Sequence, residues 1–473
     1  MGGSESKNDD QFSEVHFTDD EKRYISRLFS KLSHEKKHLS KDQLESHTGV
    51  ILGPTLTDNL FRWMLATDPK HHDVREVTLP TFLLCVSKLL RGTITDRSHI
   101  ILNLAGHGQA TVGAKELVKC VDMLLYSFAR VVEKSSEFKS WILHRCEDSF
   151  TRLALSLLED LLHTGDSKTK GLSLPIIPEG CEYSADDIEN WLSKCSLFLQ
   201  VFEHVFHQCF CVYKGIQERN HLVVPRIPFA KHIEWSRVKT LLDLPSLIFL
   251  NSCLPHDLQH EWRFLFNNQI FGDSFSQLVQ HIAGPSKGPS VIIIKDKDGH
   301  LFGGFASVSW QVSSKFTGDT QCFLFSLSPH CGVYTTTGYN DHFMYLNVNV
   351  QTMPNGLGMG GQFEYFGLWI DHAFSVGHSK AGPKCTTYGS PQLSGKPEFE
   401  VDVIEVWAVG PEKKVEGEDT SDEESDKKKS VLDKDPEALA MLSLIGKGPV
   451  SEGLREGDET ADSPEHNKVV SLF

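Results

Sequence analysis

The chain has no surplus of positive charge. Its 47 lysines and arginines face 63 aspartates and glutamates, a formal net charge of −16. Contacts to a phosphate backbone need a basic field, so the balance excludes a general nucleic-acid binder. A long apolar run is missing too. The best candidate for a membrane span is residues 195–213, and it carries Gln200, Glu203, His204, His207 and Gln208. That polarity makes it a buried helix rather than a bilayer helix. The first residues, MGGSESKNDDQFSEV, are polar and acidic, unlike a secretory signal or a transit peptide. Without such a signal the 11 cysteines, an odd number, read as reduced thiols of the cytosol. Glycine (36) and proline (20) are not enriched, which excludes a collagen-like or low-complexity chain. What remains is ordinary globular material, 40% hydrophobic and 23% charged, long enough for roughly two to four domains.

Residues 16–135 read as short helices joined by short loops. Thr18 and Glu21 have the spacing of a capping box, and Ser40 and Gln43 repeat it. Further helices are predicted near 56–65, 80–90, 96–104 and 114–131. Three β-like triplets, 38–40, 76–78 and 110–112, sit between helices and carry Leu39, Val77 and Val112. Helix, loop with a central apolar residue, helix is the rhythm of EF-hands. The calcium ligands are missing. A calcium loop needs oxygen side chains at positions 1, 3 and 5 and a bidentate Glu at position 12. With the apolar residue at position 8, the first loop offers Leu32, His34, Lys36 and Gln43. The second offers Lys70, His72, Val74 and Thr81; the third offers Ala105, His107, Gln109 and Glu116. Only Glu116 is a proper ligand, so no metal is expected. Two readings stand, a degenerate EF-hand array kept as a scaffold and an unrelated helical bundle.

Residues 136–242 stay mostly helical, with an amphipathic stretch over 145–163, a polar loop over 165–180 and an apolar helix over 186–212. After Asp243 comes a short helix, then HEWRFLFN, which reads as helical. The period then changes to that of strands, predicted at 290–295, 301–309, 321–327, 333–336, 345–348, 367–370 and 403–409. Asp296-Lys297-Asp298-Gly299 is a hairpin turn between the first two. Many short strands with glycine-rich turns make an antiparallel sandwich or barrel.

Order is expected to stop at Pro411. Residues 411–430 hold eight acids and five lysines and no aromatic residue, the composition of a solvated linker. Thr420, Ser421 and Ser425 stand among its acids as targets for an acidophilic kinase, or as parts of a plain spacer. One helix follows, with Asp435 as N-cap, Pro436 at its first position and Gly446 as its stop. Leu439, Leu442 and Ile445 are its candidate anchors, for a groove on a partner or for the chain's own surface.

Several sites weaken on inspection. Gly356–Gly361 could cradle a phosphate, but it lacks the Lys-Ser/Thr of a P-loop, and a tight loop requiring glycine explains it. His204, His207, Cys209 and Cys211 are zinc-ligand types without the second half of a four-ligand pattern. Ser307, Asp341, His342, Asp371, His378 and Cys385 are possible catalytic groups, yet no serine sits in a nucleophile elbow. No catalytic residue is assigned. At the other end, Gly2 followed by Ser6 fits N-myristoylation. One myristoyl chain holds a membrane weakly, so a second contact is required.

The strand region resembles the TLDc domain through most of residues 243–410. The resemblance runs through 262–266 (WRFLF), 272–276 (GDSFS), 303–307 (GGFAS), Trp310, 322–327 (CFLFSL), 337–341 (TGYND), 356–361 (GLGMGG), 366–371 (FGLWID), 377–379 (GHS), 385–388 (CTTY) and 405–409 (EVWAV). The layout of the whole chain resembles the lipid-modified, lysosome-associated, mTOR-linked branch of that family.

That resemblance implies a β-sandwich with small flanking helices, no enzymatic activity and no cofactor. It implies binding to the V-ATPase, with the sandwich as the pump-facing module. It also implies contact with mTOR pathway components and support of growth, proliferation and migration. The expected location is the cytoplasmic face of the lysosomal membrane, held through the N-myristoyl group, and the cytoplasm. The competing reading is an oxidative-stress-protective enzyme with a thiol or metal site. The resulting fold class is α+β, divided as follows: a lipidated N-terminus (1–15), an all-α EF-hand-like region (16–135), a helical middle (136–242), an antiparallel sandwich (243–410) and a mostly disordered acidic tail with one helix (411–473).

Overall fold

Leu39 and Val77 face each other in a short antiparallel ladder formed by β1 (His38–Leu39) and β2 (Val77–Thr78). This is how paired EF-hand loops touch, through the residue expected at position 8. The computed structural model describes residues 16–67, 76–106, 108–162, 173–210, 225–381 and 384–412. Around the ladder lie α1 (Asp19–Leu32), α2 (Lys41–Ala66), α3 (Leu79–Arg91), α4 (Ile94–Gly106) and α5 (Ala114–Val132). The second of these is two helices joined across Gly53 (φ 76°), followed by Pro54. Proline removes a backbone donor and glycine supplies the left-handed turn, so the helix breaks there.

The third loop also has a partner, which the sequence did not reveal. Its strand β3 (Val112–Gly113) pairs with β4 (Glu182–Tyr183), setting Val112 against Tyr183. Four residues beyond each of these apolar residues stand Gln43, Thr81, Glu116 and Asp187. In a calcium loop that position holds the bidentate Glu. Here two of these side chains close capping boxes instead: Gln43 accepts from the Ser40 amide at 2.9 Å, and Asp187 from the Ser184 amide at 2.9 Å. Their oxygens satisfy helix N-termini rather than a cation.

The middle region supplies α6 (Ser136–Lys139), α7 (Ser149–Leu157), α8 (Glu159–Leu162), α9 (Ala185–Lys194) and α10 (Ser196–Phe210). The single helices expected over 145–163 and 186–212 are thus each broken. No described helix is long and apolar enough to cross a membrane. Instead α10 packs against α5, α3 and α2. It buries Leu197, Phe198, Val201, Phe202, Val205, Phe206 and Phe210. Arg97 on α4 pairs with Glu203 on α10 at 2.5 Å, and His47 reaches the Cys209 carbonyl at 2.8 Å. The apolar side of α10 is therefore buried against α2, α3 and α5 rather than in a bilayer.

The sheet begins with β5 (Phe229–Lys231), which precedes α11 (Leu244–Cys253) and runs parallel to β6 (Glu261–Asn267); α12 (Asn268–Phe271) and α13 (Phe275–Ile282) follow. The remaining strands are β7 (Ser290–Asp296), β8 (Leu301–Ala306), β9 (Ser313–Thr317), β10 (Phe323–Ser328), β11 (Gly332–Thr335), β12 (Met344–Asn347), β13 (Gly356–Gln362), β14 (Tyr365–Asp371), β15 (Val376–His378) and β16 (Glu398–Val409). Their order is β11-β10-β8-β7-β16-β15-β14-β13-β12-β9, with β6 also against β16. Long β16 belongs to both halves. Its first residues pair with β15, and its last residues pair with β6 and β7. The sheet folds over at this strand, so Ile292, Phe302 and Leu324 of one half meet Leu346, Met359 and Leu368 of the other in a shared core. The α+β class with an antiparallel sandwich is the observed one.

Two elements differ from expectation. HEWRFLFN contains strand β6, not a helix. It lies between β5 and β16, with Phe266 opposite Val406 and Phe264 opposite Trp407. Apolar contacts on both faces erase the alternation that marks a strand. Gly356–Gly361 is not a loop either; it lies in β13, paired with β12 and β14.

Candidate functional site

Glycine in β13 makes room for aromatic rings. A Cβ on Gly358 would stand 2.7 Å from the Phe366 ring, and one on Gly360 2.6 Å from Tyr388. Phe366 and Trp369 stack at 4.5 Å and 20°, with Tyr345 5.8 Å from Phe366. The run serves this aromatic wall. Its ladder partners are β12 and β14, and the phosphate-cradle reading falls.

The candidate catalytic groups lie in this domain but do not form a nucleophile and base. The Ser379 hydroxyl is buried, donates to the Gly367 carbonyl at 2.7 Å and accepts from the Leu393 amide at 2.9 Å. It holds strands together. Burial raises the pKa of the Cys385 thiol, which disfavours the thiolate a redox or nucleophilic cysteine needs. Ser307 contacts the Cys322 sulfur at 3.1 Å, and His342 contacts the Gly361 carbonyl at 2.6 Å while stacking on Phe316 at 4.2 Å. Asp371 accepts from the Ala373 amide at 2.8 Å, closing a turn. His378 borders a cleft with Asp371.

The zinc-type residues are core residues. His204 packs edge-on against Phe128 at 5.5 Å, and His207 is 3% exposed. Burial pulls both imidazoles down to about 4, so they stay neutral. No group of three potential ligands occurs among the described residues. Cys211 lies outside the described residues, as do Gly2, the linker with Thr420, Ser421 and Ser425, and the helix with Leu439, Leu442 and Ile445.

A surface suited to a partner lies at one end of the sandwich. A cleft of about 690 Å³ opens between the loop carrying Tyr339 and the β13–β14 hairpin. Tyr339 is 80% exposed and Tyr365 59%, with Phe363 beside them at the hairpin tip. The loop is held firmly. Thr387 donates to the Asn340 side chain at 2.7 Å, and Thr337 donates to the Thr386 carbonyl at 2.6 Å. Glu364 at the hairpin tip has φ 69°, a strained backbone for a residue with a Cβ. Exposed tyrosines on a rigid frame offer large contact area with little ordering cost, the profile of a protein-binding hot spot. Lys380 and Lys384 give the cleft a basic edge, and Lys380 also reaches Glu398 at 3.2 Å. Sequence reasoning did not single out these tyrosines. Tyr339 lies within a family block, but its exposure is a property of the fold.

The sandwich is joined to the helical region through a buried aromatic seam. Trp141 lies 4.8 Å from Trp407 and 6.0 Å from Trp262, with Trp235 at 5.8 Å. Arg152 on α7 pairs with Asp243, the N-cap of α11, at 2.8 Å. The Cys331 amide donates to Ser156 at 3.0 Å. The helical part and the sandwich therefore present one continuous surface.

The TLDc domain pattern matches residues 236–410, the sandwich together with the segment that leads into it. Over nearly its whole length the chain is similar to chicken (Gallus gallus) MTOR-associated protein MEAK7, with 41% identity over 435 residues, 90% of each chain. It is 37% identical to the human (Homo sapiens) protein of the same name over 476 residues, 96% of this chain and 99% of that one. Bovine (Bos taurus) oxidation resistance protein 1 shares 31% identity over 154 residues, 33% of this chain and 16% of that protein. Similarity of that extent, reaching through both the helical region and the sandwich, places the chain in the MTOR-associated protein MEAK7 family of TLDc-domain proteins.

Proposed function

We propose that the chain is a non-enzymatic adaptor in mTOR signalling, working at the cytoplasmic face of the lysosomal membrane and binding the V-ATPase there. The observation that carries this reading is the rigid tyrosine cleft, a surface suited to protein contact. The name shared by the full-length relatives supports the mTOR link. The myristoyl group on Gly2 supplies one weak membrane hold, and the protein partner supplies the second. The tail anchors Leu439, Leu442 and Ile445 add a further pump contact. Affinity purification from lysosomal membranes tests all three parts. The wild type should bring down V-ATPase subunits. Gly2→Ala should move to the cytosol without unfolding, and truncation after Lys434 should weaken pump association at unchanged melting temperature. An unchanged membrane fraction for Gly2→Ala removes the lipid anchor. Intact association with a lowered melting temperature makes the tail helix a clasp on its own chain.

A further inference from the structure

Strand β16 ends in a turn that requires glycine. Val409 gives its amide to the Pro289 carbonyl and Gly410 to the Glu261 carbonyl, both at 2.9 Å. Gly410 has φ +79°, and a Cβ there would stand 2.5 Å from the Leu258 side chain. Pro411 follows without a donor, and then comes Glu412, the first acid of the tail.

Glu412 reaches back to Arg263 of β6, whose backbone lies opposite Ala408. Nη1 of Arg263 meets Oε1 of Glu412 at 3.3 Å. The two side chains are unequally placed: Arg263 is 4% exposed and Glu412 61%. A guanidinium carries five N–H donors. Here Nη2 donates to the Lys287 carbonyl at 3.4 Å, and Nε is buried without a partner. Both bonds are long for a charged donor. Among the described residues no other carboxylate pairs with Arg263, and Glu261, two residues before it, is held by Lys231. A buried cation needs a counter-charge and filled donors. This one has a single carboxylate, and that carboxylate belongs to the tail.

We infer that Arg263 is a carboxylate-binding site that clamps the acidic tail to the edge of the sandwich, with Glu412 as its occupant. The Gly410 turn keeps Glu412 within reach, three residues after the last ladder pair, Val409 with Trp262. That tether gives it an effective concentration which a partner's acid would have to exceed. Residues 416–426 add seven acids and no base, so the charge beyond the clamp has the same sign. Holding residue 412 fixes the point from which residues 413–473 start. The clamp does not depend on the adaptor reading.

Hydrogen exchange of the full chain, followed by mass spectrometry, reads the Val409 and Gly410 amides. Glu412→Gln changes an exposed side chain and should speed their exchange at least fivefold at unchanged melting temperature. Arg263→Lys keeps the charge, loses the fork and should speed it too. Glu416→Gln/Glu418→Gln removes more charge from the tail and should exchange as the wild type does. Salt at about 1 M should speed exchange in the wild type and not in Glu412→Gln. Wild-type exchange in Glu412→Gln would overturn the clamp, and if Arg263→Lys alone were faster, the site would belong to another acid. Equal acceleration in Glu416→Gln/Glu418→Gln, or one salt response for wild type and Glu412→Gln alike, would overturn it as well.

Discussion

Trp407 donates its indole N–H to Oε1 of Glu405 at 2.6 Å, two residues away on the same face of β16. The same oxygen accepts the Thr240 hydroxyl at 2.6 Å, and the other takes the Leu241 amide at 3.0 Å. The carboxyl is completely buried, and burial raises its pKa. It pins the segment before α11 to the sandwich, beside the tryptophan seam.

Glu405→Leu should therefore destabilise the protein by roughly 3 kcal/mol or more, because three buried donors lose their acceptor. Glu405→Gln, which keeps the shape and one acceptor oxygen, should cost less. Denaturant midpoints measure both; a Glu405→Leu midpoint equal to that of the wild type would show that the seam holds without this anchor.

Stability should fall in mild acid. His204 and His207 are held at about 4 from an ordinary 6.5. The unfolded chain takes up protons below 6.5 while the folded chain does not until about 4. The stability these neutral rings contribute is thus complete above 6.5 and is lost as pH falls through that window, at most roughly 3 kcal/mol for each. Melting curves between pH 7 and pH 4.5 should show the loss, and His204→Gln/His207→Gln should flatten it.

Calcium should not bind the loops tightly. Their position-12 residues Gln43 and Asp187 are occupied by helix caps. Titration calorimetry with calcium should show no micromolar site, and chelator should leave the melting temperature unchanged.

Gly361→Ala should be more damaging than an exposed glycine change. Its φ is +83°, and a Cβ there would stand 2.1 Å from the Tyr365 carbonyl oxygen. Overpacking together with a left-handed backbone should cost about 2–4 kcal/mol. Gly338→Ala has a similar φ, +77°, but open space around it, and should cost only the backbone strain, about 1 kcal/mol. Equal midpoints for the two variants would contradict the close packing of β13.

Local signals made much of this fold legible. Strands β7 and β8 show β-branched or aromatic runs around an Asp-Gly turn, and α1 and α2 announce themselves by capping boxes. Strand β6 was hidden because both of its faces are apolar, with Trp262 and Phe264 in one core and Leu265 and Phe266 in another, and β13 because its glycines serve the rings of the neighbouring strand. The Val112–Tyr183 pairing was hidden by distance along the chain. The glycine and histidine motifs that stood out in the sequence proved to be packing devices. The tyrosine cleft is assembled from loops far apart in sequence, and exposure has no local signature.

The most direct test of the adaptor account is rescue of mTOR pathway output in cells lacking the chain. Cys385→Ala removes a buried thiol that an enzyme would need and leaves the exposed tyrosines of the cleft in place; Tyr339→Ser/Tyr365→Ser removes those exposed rings. At matched expression and melting temperature, the account expects Cys385→Ala to restore signalling as the wild type does and the tyrosine variant to fail. Failure of Cys385→Ala with full rescue by the tyrosine variant would contradict it.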